Sequence, residues 1–562
     1  MAGTGSSALK ELEHLKDAYS DGAAGRKLDL LKVLSRASLS RSRQVEALHE
    51  ILCFLRAYPD SSEILDQVEG MLQRFSRRKD LGRFRKELAN SGIAGTEISF
   101  PFFWFTAEWL ARRWPKHVSI DWREFDKRDD LVEMLPLLLP YSESSALEEL
   151  VSSPREWINR LKGPDETDAY FLTRRFKALS GDSFTREADF ERLDIPIKLK
   201  AGDDTPSRTL AHYPVKKIAF RTGIFLQVRE SLRREIVNAP VKVRAVSSRE
   251  GRDLIDLARG AMITRSRDLD AFEHGSDKDV RIVDCDQGLQ FACIGVVPER
   301  RLLLESVYGF LTIKNGIPIG YFLVGSLFGS SEVAYNMFET FRGAESGFIY
   351  SRALAMTRRL FGSDTFVVPP YQLGHNNQEA LKSGAWWFYY KRGFRPQDPD
   401  VRRLLRGELK KMKRNRRHRT DVPTLNQLAS ENMYLYLGPR RRDTIATITS
   451  GTIASSIMSL QAHRFGADRE RGIRTCSREA ARLLGLRSLR RLTSGERLAW
   501  DRWSPVIVAL KGIKGWSPAQ KRALVAIVRA KGGQRESRFV ELFDRHRRLH
   551  KAIVKLSESE EM

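Results

Sequence analysis

The sequence predicts a mixed α/β protein in which a mixed, mostly antiparallel sheet lies between two mostly helical segments. Three observations predict this class. Apolar residues recur at three- and four-residue spacing through much of residues 1–200, short apolar runs separated by turns fill residues 209–400, and helical spacing returns over residues 425–562. A chain of 562 residues is too long for one hydrophobic core, so several domains are expected.

Residues 1–200 are predicted to form a helical N-terminal domain. Val45, Leu48, Leu52 and Leu55 form one apolar stripe, and residues 59–62 (Pro-Asp-Ser-Ser) end that helix and cap the next. An aromatic helix begins in residues 101–105. We expect its rings to pack the core of the domain.

Residues 209–400 are predicted to form the sheet-containing domain, after a polar loop at residues 201–208. Strands are expected at residues 216–227 and 241–246, with a helix over residues 252–272. Asn315-Gly316 lies between two apolar runs and predicts a tight hairpin, because this pair accepts the positive φ angles of a type I′ turn.

Residues 401–424 are predicted to be a basic linker, followed by a helical C-terminal domain over residues 425–562. The basic residues of its centre suggest contact with a polyanion. They are Lys410, Lys411, Lys413, Arg414, Arg416, Arg417, His418 and Arg419.

The composition restricts the class of protein. Lys and Arg number 96 against 71 Asp and Glu, a net charge of +25, which attracts nucleic acid, anionic membrane surfaces or acidic partners. The N-terminus has no apolar signal-peptide core and no apolar run reaches membrane-spanning length, so a cytoplasmic location is expected. The four cysteines have no metal-ligand spacing, so we expect buried free thiols and no metal site.

A strand, a glycine turn and a helix follow one another over residues 335–362. The turn contains Arg342, Gly343 and Gly347, and the following helix has apolar positions at three- and four-residue spacing. Such a turn lets the backbone approach an anion, and the helix dipole favours negative charge there. This segment predicts a pyrophosphate site.

A second motif lies about fifty residues further on, where Ala385, Tyr389, Gly393 and Phe394 end a helix. The two motifs and their separation resemble the GNAT superfamily of acyl-CoA-dependent N-acyltransferases over residues 241–396. Family members have an Arg/Gln-x-x-Gly-x-Gly/Ala turn between a strand and a helix, then a strand and a helix ending Ala-x-x-x-Tyr-x-x-x-Gly-Phe. Glu345 stands where the family has the middle glycine of the turn.

The resemblance implies a set of roles with acyl-CoA as co-substrate and without a metal. Arg342, Gly343 and Gly347 would hold the pyrophosphate, and Met337 and Phe338 would contact the pantetheine amides. Tyr389 would protonate the departing thiolate. Glu339, with Glu345 behind it, would take the proton of a small-molecule or protein amine. Residues bordering the acceptor pocket would be Tyr371, Gln372, His375 and Asn377.

Two other functions fit the same sequence. The GNAT-like region can be a catalytically silent scaffold that binds nucleic acid or another polyanion, or a transferase that uses aminoacyl-tRNA. Each residue also has a structural explanation. Tyr389 stands among aromatic neighbours that fill cores, Glu345 can pair with Arg342 or Arg352, and His375 can bond to backbone in a loop.

Overall fold

A computed structural model describes residues 2–20, 22–221, 223, 231–343, 345–448 and 450–558. It contains a large mixed sheet and a small antiparallel sheet with flanking helices, which confirms the predicted mixed α/β class. The chain divides into two compact units. Unit 1 comprises residues 1–224, 253–274 and 313–319, and unit 2 comprises residues 225–252, 275–312 and 320–562.

Unit 1 begins with the predicted helices. The Val45 stripe is buried in the third helix, and the Ser61 hydroxyl accepts a hydrogen bond from the Ile64 amide at 3.4 Å, which caps the fourth. The helices are α1 (Ala2–Leu15), α2 (Ala23–Arg36), α3 (Ser42–Ala57), α4 (Ser62–Gln73), α5 (Lys79–Arg83), α6 (Trp104–Arg113), α7 (Arg128–Leu138), α8 (Tyr141–Glu149), α9 (Pro154–Leu161), α10 (Asp168–Ala178) and α11 (Ser183–Arg192).

A buried cluster rich in aromatic residues forms a hydrophobic core in unit 1. Trp104 and Trp109 on α6 and Trp114 after it are all at most 7% exposed, as expected for this helix. Beside them lies a three-stranded antiparallel sheet in the order β1 (Ile98–Phe100), β3 (Ile197–Leu199), β2 (Val118–Ile120). The sequence did not predict this sheet, because three-residue strands are too short to show alternation.

Unit 2 contains most of the large sheet, whose order is β11-β12-β10-β9-β8-β7-β6-β5-β4. β9 and β10 pair in parallel, and α15 connects them. The strands are β4 (Lys242–Ala245), β5 (Gly275–Asp284), β6 (Leu289–Val296), β7 (Ser306–Lys314), β8 (Ile317–Leu327), β9 (Ser330–Met337), β10 (Thr365–Val368), β11 (Arg395–Pro396) and β12 (Met433–Tyr436). The helices of unit 2 here are α12 (Leu232–Asn238), α15 (Ser346–Phe361), α16 (Pro370–Leu373), α17 (Gln378–Ser383) and α18 (Ala385–Lys391). The helix α13 (Ser248–Ile263) has residues in both units, and α14 (Asp270–Glu273) belongs to unit 1.

The hairpin between β7 and β8 has the predicted turn. Asn315 and Gly316 have φ angles of 49° and 84°, in the left-handed region. The Asn315 amide donates to the carbonyl oxygens of Ala57 at 2.9 Å and Ala219 at 3.1 Å, all within unit 1. Of the predicted strand at 216–227, residues 222 and 224–227 lie outside the described residues, and residues 216–221 form no regular strand.

Helices also form much of the remaining chain. The predicted basic linker begins as the helix α19 (Pro399–Arg414). The other helices are α20 (Val422–Leu428), α21 (Ser450–Phe465), α22 (Arg469–Leu484), α23 (Ser494–Ala509), α24 (Pro518–Lys531), α25 (Ser537–Arg545) and α26 (Arg547–Glu558). Within the described residues, every helix is too short or too polar to cross a membrane.

Candidate functional site

The carboxyl ends of β9 and β10 are not paired with each other. Their parallel pairing comprises three residue pairs, from Thr365 opposite Ser330 to Val367 opposite Glu332. β9 continues for five more residues, where its described pairing is with β8 on the other side. Ligands of open α/β sheets bind beyond the carboxyl ends of parallel strands. We call this region the β9–β10 crevice.

Arg342 stabilises the turn at the end of β9 with two hydrogen bonds. Its Nε donates to the Met337 carbonyl at 3.1 Å, and its terminal nitrogen bonds the Glu379 carboxylate on α17. The Gly343 amide donates to the Ser346 hydroxyl at 3.3 Å, and Ala344 lies outside the described residues. The predicted pyrophosphate turn therefore forms at the carboxyl end of β9, with one arginine already paired.

Arg392 joins the two sequence motifs. Its guanidinium lies so close to Gly347, at the amino end of α15, that a Cβ on this glycine would overlap it. A cation is unfavourable at the positive end of a helix unless an anion balances it. A side chain at 347 would therefore force the Arg392 guanidinium to move, and the arginine at this helix end marks a place suited to an anion.

Glu345 precedes α15 and is buried, with 3% of its surface exposed. Burial is the main cause that raises the pKa of Tyr335 on β9. The charge of Glu345 adds to this effect and that of Arg392 opposes it, so both lie near this ring. The carboxylate thus belongs to the interior side of the turn, away from the solvent that a pyrophosphate would face.

Three tyrosines meet at the crevice. The ring of Tyr350 on α15 lies 5.4 Å from that of Tyr335 and 5.6 Å from that of Tyr389 on α18. In the described part of the chain, the hydroxyls of Tyr335 and Tyr350 are buried without a hydrogen-bond partner. Burial raises the pKa of Tyr389, so its hydroxyl keeps its proton at neutral pH. The cluster therefore consists of aromatic ring contacts with protonated tyrosine hydroxyls among them.

The predicted strand contacts and the predicted base lie at the edge of this cluster. The carbonyl of Met337 accepts from Arg342, and that of Phe338 accepts from the Phe341 amide at 2.9 Å, so both oxygens are engaged. Glu339 lies in a 3-10 turn and is exposed. Within the described residues, residues 333–337 of β9 have no strand partner on the β10 side.

The predicted acceptor-side residues form one short segment next to the turn. Tyr371 is 60% exposed on α16, with Gln372 half-buried beside it, and the Nδ1 atom of His375 lies 3.5 Å from the Asn426 carbonyl oxygen. Asn377 caps α17. Its oxygen accepts from the Ala380 amide at 3.1 Å and its nitrogen donates to the Tyr371 carbonyl at 3.1 Å. The Arg342–Glu379 pair ties this segment to the anion turn.

One group of described residues has the geometry of a metal site, in unit 1. Ligand atoms of Asp270, Glu273 and His274 lie within 4.8 Å of one another. Burial first, and then the charge of Asp268, raise the pKa of Glu273 to about 9. Glu273 would have to lose this proton to bind a metal ion. The four cysteines are free and buried, as expected.

A separate pocket of about 740 Å³ lies in unit 1 beside the small sheet. Its wall combines carboxylates with lysines. Lys198 bonds Asp121 at 2.9 Å and approaches Glu97 at 3.6 Å, and Lys127 pairs with Asp194. The predicted site residues lie elsewhere in the chain. The β9–β10 crevice, where the two sequence motifs meet, is therefore the candidate site.

Sequence reasoning missed three residues of the crevice. Arg392 immediately precedes the glycine of the second motif, and Tyr335 and Tyr350 occupy apolar stripes in which any aromatic residue looks like core. Only the contact between the two motifs reveals them. No protein-family model, curated protein or solved structure matches the chain.

Proposed function

We propose that this protein is an N-acyltransferase that moves an acyl group from acyl-CoA to an amine at the β9–β10 crevice. The proposal depends mainly on one observation. The turn motif and the tyrosine motif, about fifty residues apart in sequence, meet at the unpaired ends of two parallel strands, through Arg392 on Gly347 and Tyr389 against Tyr350. The GNAT resemblance implies this chemistry for such a pair of motifs.

The amino end of α15 is suited to the pyrophosphate of CoA. Gly343 permits close approach to the backbone, the helix dipole favours the anion, and Arg342 and Arg392 supply charge, with Arg392 lying against Gly347. Glu345 and Glu379 reduce that charge. Glu345 is buried on the tyrosine side, and the Arg342–Glu379 pair is about half exposed, so it contributes at most ~1 kcal/mol and can be exchanged for a phosphate.

The free edge of β9 is suited to the pantetheine arm. Residues 333–337 extend beyond the pairing with β10, so one edge of the strand can form hydrogen bonds with the amides of an extended ligand, as in strand addition. This position differs slightly from Met337 and Phe338, whose carbonyl oxygens the turn already uses.

Tyr389 is the proposed acid. The amine nitrogen bonds to the thioester carbonyl carbon, the carbon–sulfur bond breaks, and the hydroxyl gives its proton to the departing thiolate. Burial raises the pKa of Tyr389, so the hydroxyl is protonated at neutral pH but is a weaker acid than a solvated tyrosine. A carboxylate takes the proton of the amine. Glu345 is the stronger candidate because it lies in the tyrosine cluster, whereas Glu339 is exposed.

Calorimetry with acetyl-CoA and longer acyl-CoAs tests the proposal, followed by thiol release with a panel of amines. We expect micromolar binding, weakened by Arg392→Ala. Tyr389→Phe should lower kcat tenfold or more, since general acids contribute roughly 10²–10⁴-fold, and leave CoA binding unchanged. Tyr390→Phe on the same helix is the matched control. Absence of CoA binding, or equal effects of the two tyrosine variants, would overturn the proposal.

A further inference from the structure

The segment of residues 399–419 is the most strongly charged surface of unit 2 that the sequence singled out. It contains ten Lys and Arg against two Asp and Glu, a net charge of +8, and all ten basic residues are exposed. In the part of the chain that the structure describes, only Arg403 and Lys411 among them have an ion-pair partner. The other eight cations therefore create a local positive potential.

The fold holds this segment in place. Asp398 caps α19, accepting from the Asp400 and Val401 amides at 2.9 Å each. The buried carboxylate of Glu408 accepts from Lys411 at 2.7 Å and from the His418 Nε2 at 2.8 Å, which ties the following loop back onto the helix. Burial alone would raise the pKa of Glu408, but these bonds outweigh it and lower the pKa. The basic surface is ordered rather than a solvated linker.

The described part of α19 and the loop after it exposes no large apolar side chain, which restricts the class of partner. Val401 and Leu405 are buried in the fold at 6% exposure, and the described large apolar side chains that are exposed lie outside residues 399–419. A helix that binds a membrane surface inserts an apolar face. The segment has charge without such a face, which favours a phosphate backbone over a lipid surface.

An aromatic surface lies directly beside the amino end of α19. Tyr434 and Tyr436 share one face of β12, with ring centroids 5.9 Å apart and planes within 8° of parallel. Both tyrosines are half-buried. Met433, which precedes them, and Leu435, which lies between them, are buried in the core. Two parallel rings on one strand offer aromatic faces of the kind on which unpaired bases stack.

Gln397 connects these rings to the basic helix. Its amide nitrogen donates to the Tyr436 hydroxyl, and its oxygen accepts from Arg440. Arg395 lies opposite Tyr434 across the β11–β12 pair and is exposed. The carboxylates nearby are Glu431, Asp398 and Asp400, and Asp398 is used by the helix cap. The rings thus have Arg395 and Arg440 beside them and lie near the start of α19, whose capping residue Asp398 follows Gln397 directly.

We infer that unit 2 binds single-stranded nucleic acid, with bases stacked on Tyr434 and Tyr436 and the phosphate backbone held by α19. The surface combines the two elements that non-specific single-strand binding needs, a basic track and stacking rings. Duplexes provide phosphates but no free base faces. This inference does not depend on the acyl transfer.

Fluorescence anisotropy with a labelled single strand of about 16 nucleotides, the upper site size of such proteins, tests both elements separately. The triple variant Arg406→Ala, Lys410→Ala and Lys413→Ala should weaken binding. It should also reduce the slope of log K against log salt by about 2, because each phosphate contact on single strands contributes roughly 0.7. The matched control replaces the exposed Arg487, Arg490 and Arg491 by alanine, with the same change in net charge.

The tyrosines give the complementary result. Tyr434→Leu and Tyr436→Leu should each weaken binding about tenfold without changing the salt slope, since stacking is not electrostatic. The phenylalanine variants should bind like wild type, and the exposed Tyr141→Leu in unit 1 is the control. Matched RNA and DNA strands identify the nucleic acid.

Several results would overturn the inference. They are equal loss from the two triple variants, equal affinity for duplex and single strand, no difference between leucine and phenylalanine at 434 and 436, and tighter binding to anionic vesicles than to oligonucleotides. Circular dichroism of each variant excludes unfolding as the cause of a loss.

Discussion

Replacing Glu273 by glutamine should make unit 1 more stable at alkaline pH, although it removes a buried carboxyl group. Glu273 is 4% exposed at the end of α14 and accepts a hydrogen bond from the Thr106 hydroxyl at 3.2 Å. Burial, then the neighbouring Asp268, raise its pKa from 4.5 to about 9, and burial also raises the pKa of Asp268. The two carboxyl groups therefore hold a proton between them at neutral pH.

The sign of the pH effect follows from the direction of this shift. The folded protein binds a proton that the unfolded chain releases near pH 4.5, so the contribution is fully present below pH 4.5 and is lost as pH rises towards about 9. Each pH unit in this window costs about 1.4 kcal/mol. From about pH 5 to about pH 8 the wild type should thus lose roughly 4 kcal/mol that a permanently neutral Glu273→Gln variant keeps.

Urea unfolding of both proteins at several pH values provides the measurement. The difference in the free energy of unfolding between variant and wild type isolates the Asp268–Glu273 pair, because every titrating group outside the pair contributes to both proteins. We expect a difference near zero at about pH 5 that grows to several kcal/mol at about pH 8. Glu133→Gln, at an exposed carboxylate of unit 1, should show no such trend. A difference independent of pH, or a variant less stable than wild type at pH 8, would refute the reasoning.

Two further variants test the cores of the units. Glu536→Gln should destabilise unit 2 by about 3–5 kcal/mol, since it leaves the buried Lys531, 2.6 Å from the carboxylate, without its charge partner. The exposed Glu541→Gln should cost at most about 1 kcal/mol in the same denaturation assay, and equal costs would contradict the role of burial. Gly316→Ala should destabilise unit 1 by more than the 1–2 kcal/mol typical of a left-handed alanine, because its Cβ would meet the Tyr213 carbonyl oxygen. Gly22→Ala, with a similar φ of 81° and open space around it, isolates the backbone term in thermal melts, and equal costs would refute the steric argument.

Local signals in the sequence predict local structure in this protein. The apolar stripe from Val45 to Leu55, the cap at Ser61 and the Asn315-Gly316 turn each depend on neighbours within a few residues, and all three are confirmed. The small sheet of unit 1 depends instead on pairing Ile98 with Leu199, about a hundred residues apart. No window of sequence contains that information.

The same distinction applies to charge. Asp268 and Glu273 look like an ordinary solvated pair of acids in the sequence, and only the folded chain buries them together. The basic linker shows the opposite case. Its basic composition is evident in the sequence. Its folded conformation depends on Glu408, which binds His418 ten residues later in the loop.

The hydroxyls of Tyr335 and Tyr350 provide the strongest reason to regard the crevice as more than core packing. An unpaired buried hydroxyl costs about 1–3 kcal/mol, and phenylalanine would fill the same space without that cost. The rings around them already pack at 5.4–5.7 Å, so the hydroxyls add nothing to the aromatic contacts. Two such groups beside Tyr389, near the point where the pairing of β9 with β10 ends, are explained if the crevice receives a polar ligand that bonds them.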